Sequence, residues 1–256
     1  MENTENNLQN AQSAVISPQE RQEFEEFKRQ KRVAEARAII AKLELTFTQA
    51  TAERAALRRA AKDGEKLGLG GICVNPCQVK ACSEFLGAGS PVAVVACISP
   101  WGGTDTTDIK IKQVRRALRD GAKIVEVTVP VPAIKEGDWA YVRRELKKLR
   151  SAARKATLRI NLEAPLLNAQ ELTKLCALIC ELGITAVRTA GEAFGSGAAE
   201  EELKLIKTAL KDKAIIKADG ADAPGRLATL FECGASLAGS ASAIAMAQTI
   251  LSVAEK

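Results

Sequence analysis

Eight short runs of β-prone apolar residues alternate with helix-forming stretches from about residue 40 onward, and few folds accept that pattern. The runs are KLELTF, GGICVN, PVAVVACIS, KIVEVTVP, ATLRINLEA, TAVRTA, AIIKADG and SLAGSAS. Helical patterns separate them, among them AERAALRRAAKDGEKLG, IKQVRRALRDGA, DWAYVRRELKKLRSAARKA, NAQELTKLCALICELG, AEEELKLIKTALKDK and PGRLATLFECGA. Many of these end in Gly or Gly-Ala just before the next run, which is helix C-cap punctuation. Eight such units in about 215 residues predict an α/β chain closed into a (β/α)8 TIM barrel, with an open doubly wound sheet as the alternative. LGLGG at 67–71 is no dinucleotide fingerprint, because its glycines precede the strand instead of following it.

The first 38 residues stand outside the alternation. The start, MENTENNLQNAQS, is polar and acidic, and residues 1 to about 16 are expected to be disordered. Ser17-Pro18-Gln19-Glu20 then carries a helix-start signature: a Ser cap, Pro in the first turn and Glu three residues after the cap. The expected division is a disordered start plus N-terminal helix over 1–38 and the barrel over 39–256. Phe24 and Phe27 share a face of that helix, which makes it a candidate surface for a homo-oligomer or a partner protein. The start has neither the basic region nor the apolar stretch of a signal peptide, and no apolar run approaches the roughly 18 residues of a membrane span. A cytoplasmic protein with no membrane partner is expected.

Composition excludes whole classes of chemistry. The chain has no histidine, which removes Ser-His-Asp and Cys-His catalysis and every His-based metal site. Seven cysteines without a CxxC pair read as small buried thiols, not as a disulfide framework or a zinc site. No metal and no cofactor are expected. The net charge of +6 includes basic clusters such as RRELKKLRSAARK, whose apolar residues recur at helical spacing. A solvated helix face explains them, and no nucleic-acid partner is expected.

Barrel chemistry sits at the C-terminal ends of strands. Taking each strand end in turn gives Glu44, Cys73 with Asn75, Glu126 with Thr128, Glu163, Arg188, Lys217 with Asp219, and Gly239 with Ser240. Acids, bases and a thiol thus converge on one mouth. Arg188 and Lys217 decide what they can do. A lysine at a buried strand end can lose its proton and attack a carbonyl. An arginine cannot, because its pKa stays above about 12.

Several ordered motifs resemble one family. GGICVNPCQVKAC, SPWGGTDTTDIKIKQV, GAKIVEVTVPVPAIKEGDWAYV, LRINLEAPLLNAQEL, FGSGAAEEELKLIK and the Lys-Ala-x-Gly at Lys217 together resemble deoxyribose-phosphate aldolase, a class I aldolase on a (β/α)8 barrel. The resemblance covers about residues 40 to 245. It implies a Schiff-base lysine on strand six, a second lysine on strand seven that lowers its pKa, and an aspartate on strand four for proton transfer. Lys217 matches the second lysine, and Cys73 matches a cysteine common near the site. Glu126 stands in place of the strand-four aspartate, Glu44 in place of a strand-one aspartate, and Arg188 in place of the Schiff-base lysine. On the phosphate side Gly220, Gly239, Ser240 and Ser242 are kept, with Glu163 as a further substrate contact. Asp219 is an added acid there, Ala221 replaces a glycine, Ala241 separates the serines, and TAGEAF carries one extra residue.

The implied ligand is a small sugar-phosphate or aldehyde. Three readings stay open: a barrel that binds a small sugar or carbonyl ligand without normal aldol cleavage, an active class I aldolase using Lys217, and a structural or interaction protein, including a partner of a true aldolase.

Overall fold

The computed structural model describes residues 17–191, 197 and 199–256. The expected disorder of residues 1–16 and most of the TAGEAF and FGSGA turn lie outside the described residues. Among those residues, eight strands close into one parallel barrel in sequence order, β1 pairing with β8. They are β1 (Leu43–Phe47), β2 (Gly71–Val74), β3 (Ala93–Ile98), β4 (Ile124–Thr128), β5 (Thr157–Asn161), β6 (Ala186–Arg188), β7 (Ile215–Asp219) and β8 (Leu237–Ser240). The (β/α)8 expectation holds, and the open sheet does not.

The outer layer holds α2 (Arg54–Leu67), α3 (Val79–Leu86), α4 (Thr107–Arg119), α5 (Val131–Lys135), α6 (Trp139–Ala152), α7 (Ala169–Glu181), α8 (Glu200–Leu210), α9 (Pro224–Glu232) and α10 (Ala243–Ala254). Of these, α3, α5 and α10 went unmarked in the sequence. VKACSEFL and VPAIK are too short for a clear helical period, and the latter contains a proline. Helix α1 (Pro18–Ile40) begins at the expected cap: Ser17 Oγ accepts the Glu20 N–H and Glu20 returns a bond to the Ser17 N–H. Only Ala36 and Ile40 of α1 are buried, where its last turns pack on α10.

The core is aliphatic, as a chain with so few aromatics requires. Val125, Val127, Ile160, Val187, Ile216 and Ala238 are buried where strands meet helices. The strands' other faces point into the barrel, where β1, β4, β5, β6 and β7 place charged or polar residues and Cys73, Val95, Cys97 and Ile124 form a small separate apolar cluster. That alternation sets two classes of side chain on one strand, apolar outward and polar inward. The cluster RRELKK behaves as expected: Val142, Leu146 and Leu149 are buried, while Arg144, Lys147 and Lys148 are exposed. All seven cysteines are free thiols; five are buried as expected, whereas Cys180 is half-buried and Cys77 is exposed, and no described helix is long and apolar enough to cross a membrane.

Candidate active site

Parallel pairing places the charged residues in contact before any side chain is considered. Arg188 on β6 is the register neighbour of Lys217 on β7, and Glu126 on β4 is the neighbour of Arg159 on β5. Glu44 on β1 and Asp219 on β7 each flank Gly239 on β8. Gly239 is needed there. A Cβ would overlap the Asp219 carboxylate and stand 2.7 Å from Lys217 Cε. The small strand-eight residue therefore makes room for the side chains of strand seven.

Three acids and three bases form one closed network. Arg159 donates to both Glu44 oxygens at 2.7 and 2.8 Å and to Glu126 Oε1 at 2.5 Å. Arg188 forks onto Asp219 with two bonds of 2.7 Å and reaches Glu126 Oε2 at 2.9 Å. Lys217 Nζ lies 2.9 Å from Glu44 Oε2 and 3.0 Å from Glu126 Oε1. Glu126 is the hub, touching all three cations and accepting the Cys73 thiol at 3.4 Å. Glu44, Glu126 and Asp219 balance Arg159, Arg188 and Lys217, so the cluster is neutral when every member is ionised. Lys217 has no exposed surface, and the other five are buried.

Burial disfavours charge, and neighbours restore it. Desolvation alone would raise the Glu44 carboxyl, but Lys217 and Arg159 outweigh it and hold it at about 2. Glu126 is held well below the carboxylate range in the same way by Lys217, Arg188 and Arg159. Desolvation would lower Lys217, yet Glu126, Glu44 and Asp219 overcome both it and the repulsion of Arg188, and the ammonium is stabilised. Arg188 is likewise raised, burial being outweighed by Asp219 and Glu126. Cys73 is pushed well up by its contact with Cys97, by burial and by the Glu126 charge, so it stays a neutral thiol.

The remaining strand-end residues lie around this network. Glu163 falls beyond β5 in a left-handed conformation, with φ 49°. Its carboxyl accepts from Asn161 Nδ2 at 2.7 Å and the Gly191 N–H at 3.1 Å, and burial raises its pKa against those bonds. Asn161 also donates to Thr128 Oγ1 at 3.0 Å. Among the described residues, the buried Asn161 Oδ1, Thr46 Oγ1 and Arg159 Nε have no hydrogen-bond partner. On the strand-eight side, Ser240 Oγ is buried and accepts the Ser242 N–H at 2.9 Å. Asn75 turns away from the mouth, its amide donating to Thr48 O and its backbone joining a 3-10 turn at Pro76–Gln78.

Two sets of residues escaped the sequence reading. Arg159 sits inside β5, two alternations before Glu163, the residue read as that strand's end; Glu44, Cys73, Glu126 and Lys217 likewise lie inside their strands, and only Arg188 and Asp219 of the charged set end theirs. The signal was present: Arg159, Asn161 and Glu163 recur with period two in TLRINLEA. The second set is outside the barrel. Lys110 on α4 is fully buried, donating to Glu145 Oε1 on α6 at 2.7 Å and to Thr128 O at 3.0 Å. Burial lowers its pKa more than Glu145 raises it. No sequence spacing links two helix residues so far apart in the chain.

Among relatives, deoxyribose-phosphate aldolase of Caldicellulosiruptor saccharolyticus is 30% identical over 208 residues, covering 80% of this chain and 94% of that protein. Deoxyribose-phosphate aldolase of Aciduliprofundum boonei is 26% identical over 219 residues, covering 84% and 98%. The solved structure of QR15, an aldolase, superposes with a TM-score of 0.79 at 26% identity, covering 84% of this chain and 96% of that one. No family model matches the chain. With the closed barrel, the ordered strand-end motifs and a relative matched over nearly its whole length, this chain belongs to the deoxyribose-phosphate aldolase family.

Proposed function

We propose that this chain is a family member that has lost normal aldol cleavage and keeps its barrel mouth for binding a small, uncharged sugar or carbonyl compound. The observation that carries the reading is the setting of Lys217: no exposed surface, and carboxylates at 2.9 and 3.0 Å. Class I aldol chemistry begins with a neutral amine attacking a carbonyl carbon. Even at the ordinary lysine pKa of about 10.4, fewer than about one amine in a thousand is neutral at pH 7. The acids around Lys217 lower that fraction further. Arg188, at the position where the family resemblance expects the Schiff-base lysine, has no free electron pair to offer. Its Nε, NH1 and NH2 are all committed to carboxylates.

The phosphate side supports an uncharged ligand. Three backbone amides on that side are already bonded within the chain: Ser242 N–H to Ser240 Oγ, Asp222 N–H to Gly220 O, and Ala221 N–H to Gly239 O. The neutral network leaves no surplus cation. By contrast, the unsatisfied Asn161 Oδ1 and Thr46 Oγ1 are acceptors that ligand hydroxyls would satisfy.

Two measurements test this. Cleavage of 2-deoxyribose 5-phosphate by the purified chain is expected at least about 10⁴-fold below the usual 1–10³ s⁻¹. Thermal-shift titration should show stabilisation by 2-deoxyribose and none beyond it for the phosphate ester. Turnover in the usual range would overturn the reading, as would tighter binding of the ester.

A further inference from the structure

Helix α1 makes its barrel contact with one end only. Residues 18–32 are all exposed, including Phe24 at 54% and Phe27 at 63%. An isolated helical segment of about 15 residues is marginal in water and gains most from a partner for its apolar stripe. At about 100° per residue, Glu20, Phe24, Phe27 and Lys31 fall in one stripe about 60° wide. Ala36 and Ile40, which face the barrel, lie roughly opposite. The stripe therefore points away from the body of the molecule.

We infer that the free part of α1 pairs antiparallel with α1 of a second copy of this chain. The order of the stripe selects that partner. It reads acid, ring, ring, base. Reversing the second helix sets Glu20 against Lys31 and Phe24 against Phe27, and symmetry supplies the same two contacts again. The two-fold axis passes between Glu25 and Glu26, which face outward and pair within their own helix with Lys28 and Arg29 at 2.9 Å.

The wider charge pattern agrees. Glu20, Glu23, Glu25 and Glu26 precede Lys28, Arg29, Lys31 and Arg32, with Arg21 the one cation in the acidic part. Parallel pairing would set like against like, whereas antiparallel pairing sets acid against base. Glu20 spends Oε2 on the Ser17 N–H, which leaves Oε1 for the partner. Lys28 lies 4.3 Å over the Phe24 ring and covers one flank of the stripe. Four phenylalanine rings bury at most about 600–1,000 Å², short of the roughly 1,200 Å² of stable interfaces. The dimer is therefore weak, concentration-dependent and weakened by salt. This inference does not rest on the reading of the barrel mouth.

Sedimentation velocity of the full chain across the micromolar range tests it, with helical circular dichroism as the folding control. Wild type should pass from monomer to dimer, and the double variant Phe24→Ala/Phe27→Ala should stay monomeric. Glu20→Lys and Lys31→Glu, each alone, should weaken self-association by about tenfold or more. An equal mixture of those two variants should regain the dimer, since each then faces its opposite charge. A wild type that stays monomeric, a dimer that survives loss of both rings, or a mixture no better than its parts would overturn the inference.

Discussion

Two lysines are fully buried in this barrel, and their surroundings move them in opposite directions. Lys110 lies between α4 and α6 with one carboxylate at 2.7 Å, and burial wins: its ammonium is easier to deprotonate than usual. Lys217 lies inside the barrel with two carboxylates at 2.9 and 3.0 Å, and charge wins: its ammonium is harder to deprotonate. Burial and distance are nearly matched, so the number of acids within reach decides the sign. A buried lysine on an inward strand face is thus not a nucleophile by position. The lysine whose amine is closer to neutral stands outside the barrel interior, fixing α4 to the end of β4 through Thr128 O.

Removing acids one at a time should break the comparison unequally. The largest effect is expected at Glu126, which touches Arg159, Arg188 and Lys217. Glu126→Gln leaves buried cations short of charge, and two of them are arginines that cannot deprotonate. The expected loss is about 3–5 kcal/mol, read by urea unfolding. A loss under about 1 kcal/mol would mean that water reaches the network.

Acid titration comes next. Glu44 is held at about 2 in the folded chain, against about 4.3 for a free glutamate. Its folded pKa is depressed, so its contribution is present above about pH 4.3 and is lost as pH falls toward 2. The loss should be on the order of 2–3 kcal/mol and appear in unfolding curves over that window. In Glu44→Gln the same window should be flatter.

The smallest effect is expected at the helix pair. Glu145→Gln removes the acid in contact with Lys110 and leaves Asp105 as the other acid favouring its ammonium, but an amine already biased toward neutrality can release its proton. The cost is expected at about 1–2 kcal/mol, with Thr107 Oγ1 losing its charged acceptor at 2.7 Å. A cost equal to that of Glu126→Gln would erase the distinction between the two sites.

Sequence reading reached the barrel because the alternation of strand and helix is written locally, residue by residue. It reached Glu44, Glu126, Arg188 and Lys217 because a charged residue inside a short apolar run stands out, although only Arg188 of the four ends its strand and the others lie deeper in the barrel. Arg159 lies at the same level as its partner Glu126 but was passed over because Glu163 was taken to represent β5, although its period-two spacing with Asn161 and Glu163 marks it as inward-facing. Lys110 and Glu145 carry no such mark, since their meeting depends on how α4 and α6 pack. Nor does a strand-end list show whether its charges cancel. Glu163 lies beyond the C-terminal end of β5, where its left-handed turn directs its carboxyl to Asn161 Nδ2 and the Gly191 N–H, a detail that strand-end position does not reveal.

The central claim is that Lys217 is held as an ammonium and has no amine to offer a carbonyl. Incubation with a small aldehyde and borohydride at neutral pH, followed by peptide mapping, tests it directly. No selective adduct is expected at Lys217, with labelling confined to the background of exposed lysines. Fast, stoichiometric labelling of Lys217 would contradict it and return the chain to the working class I aldolases.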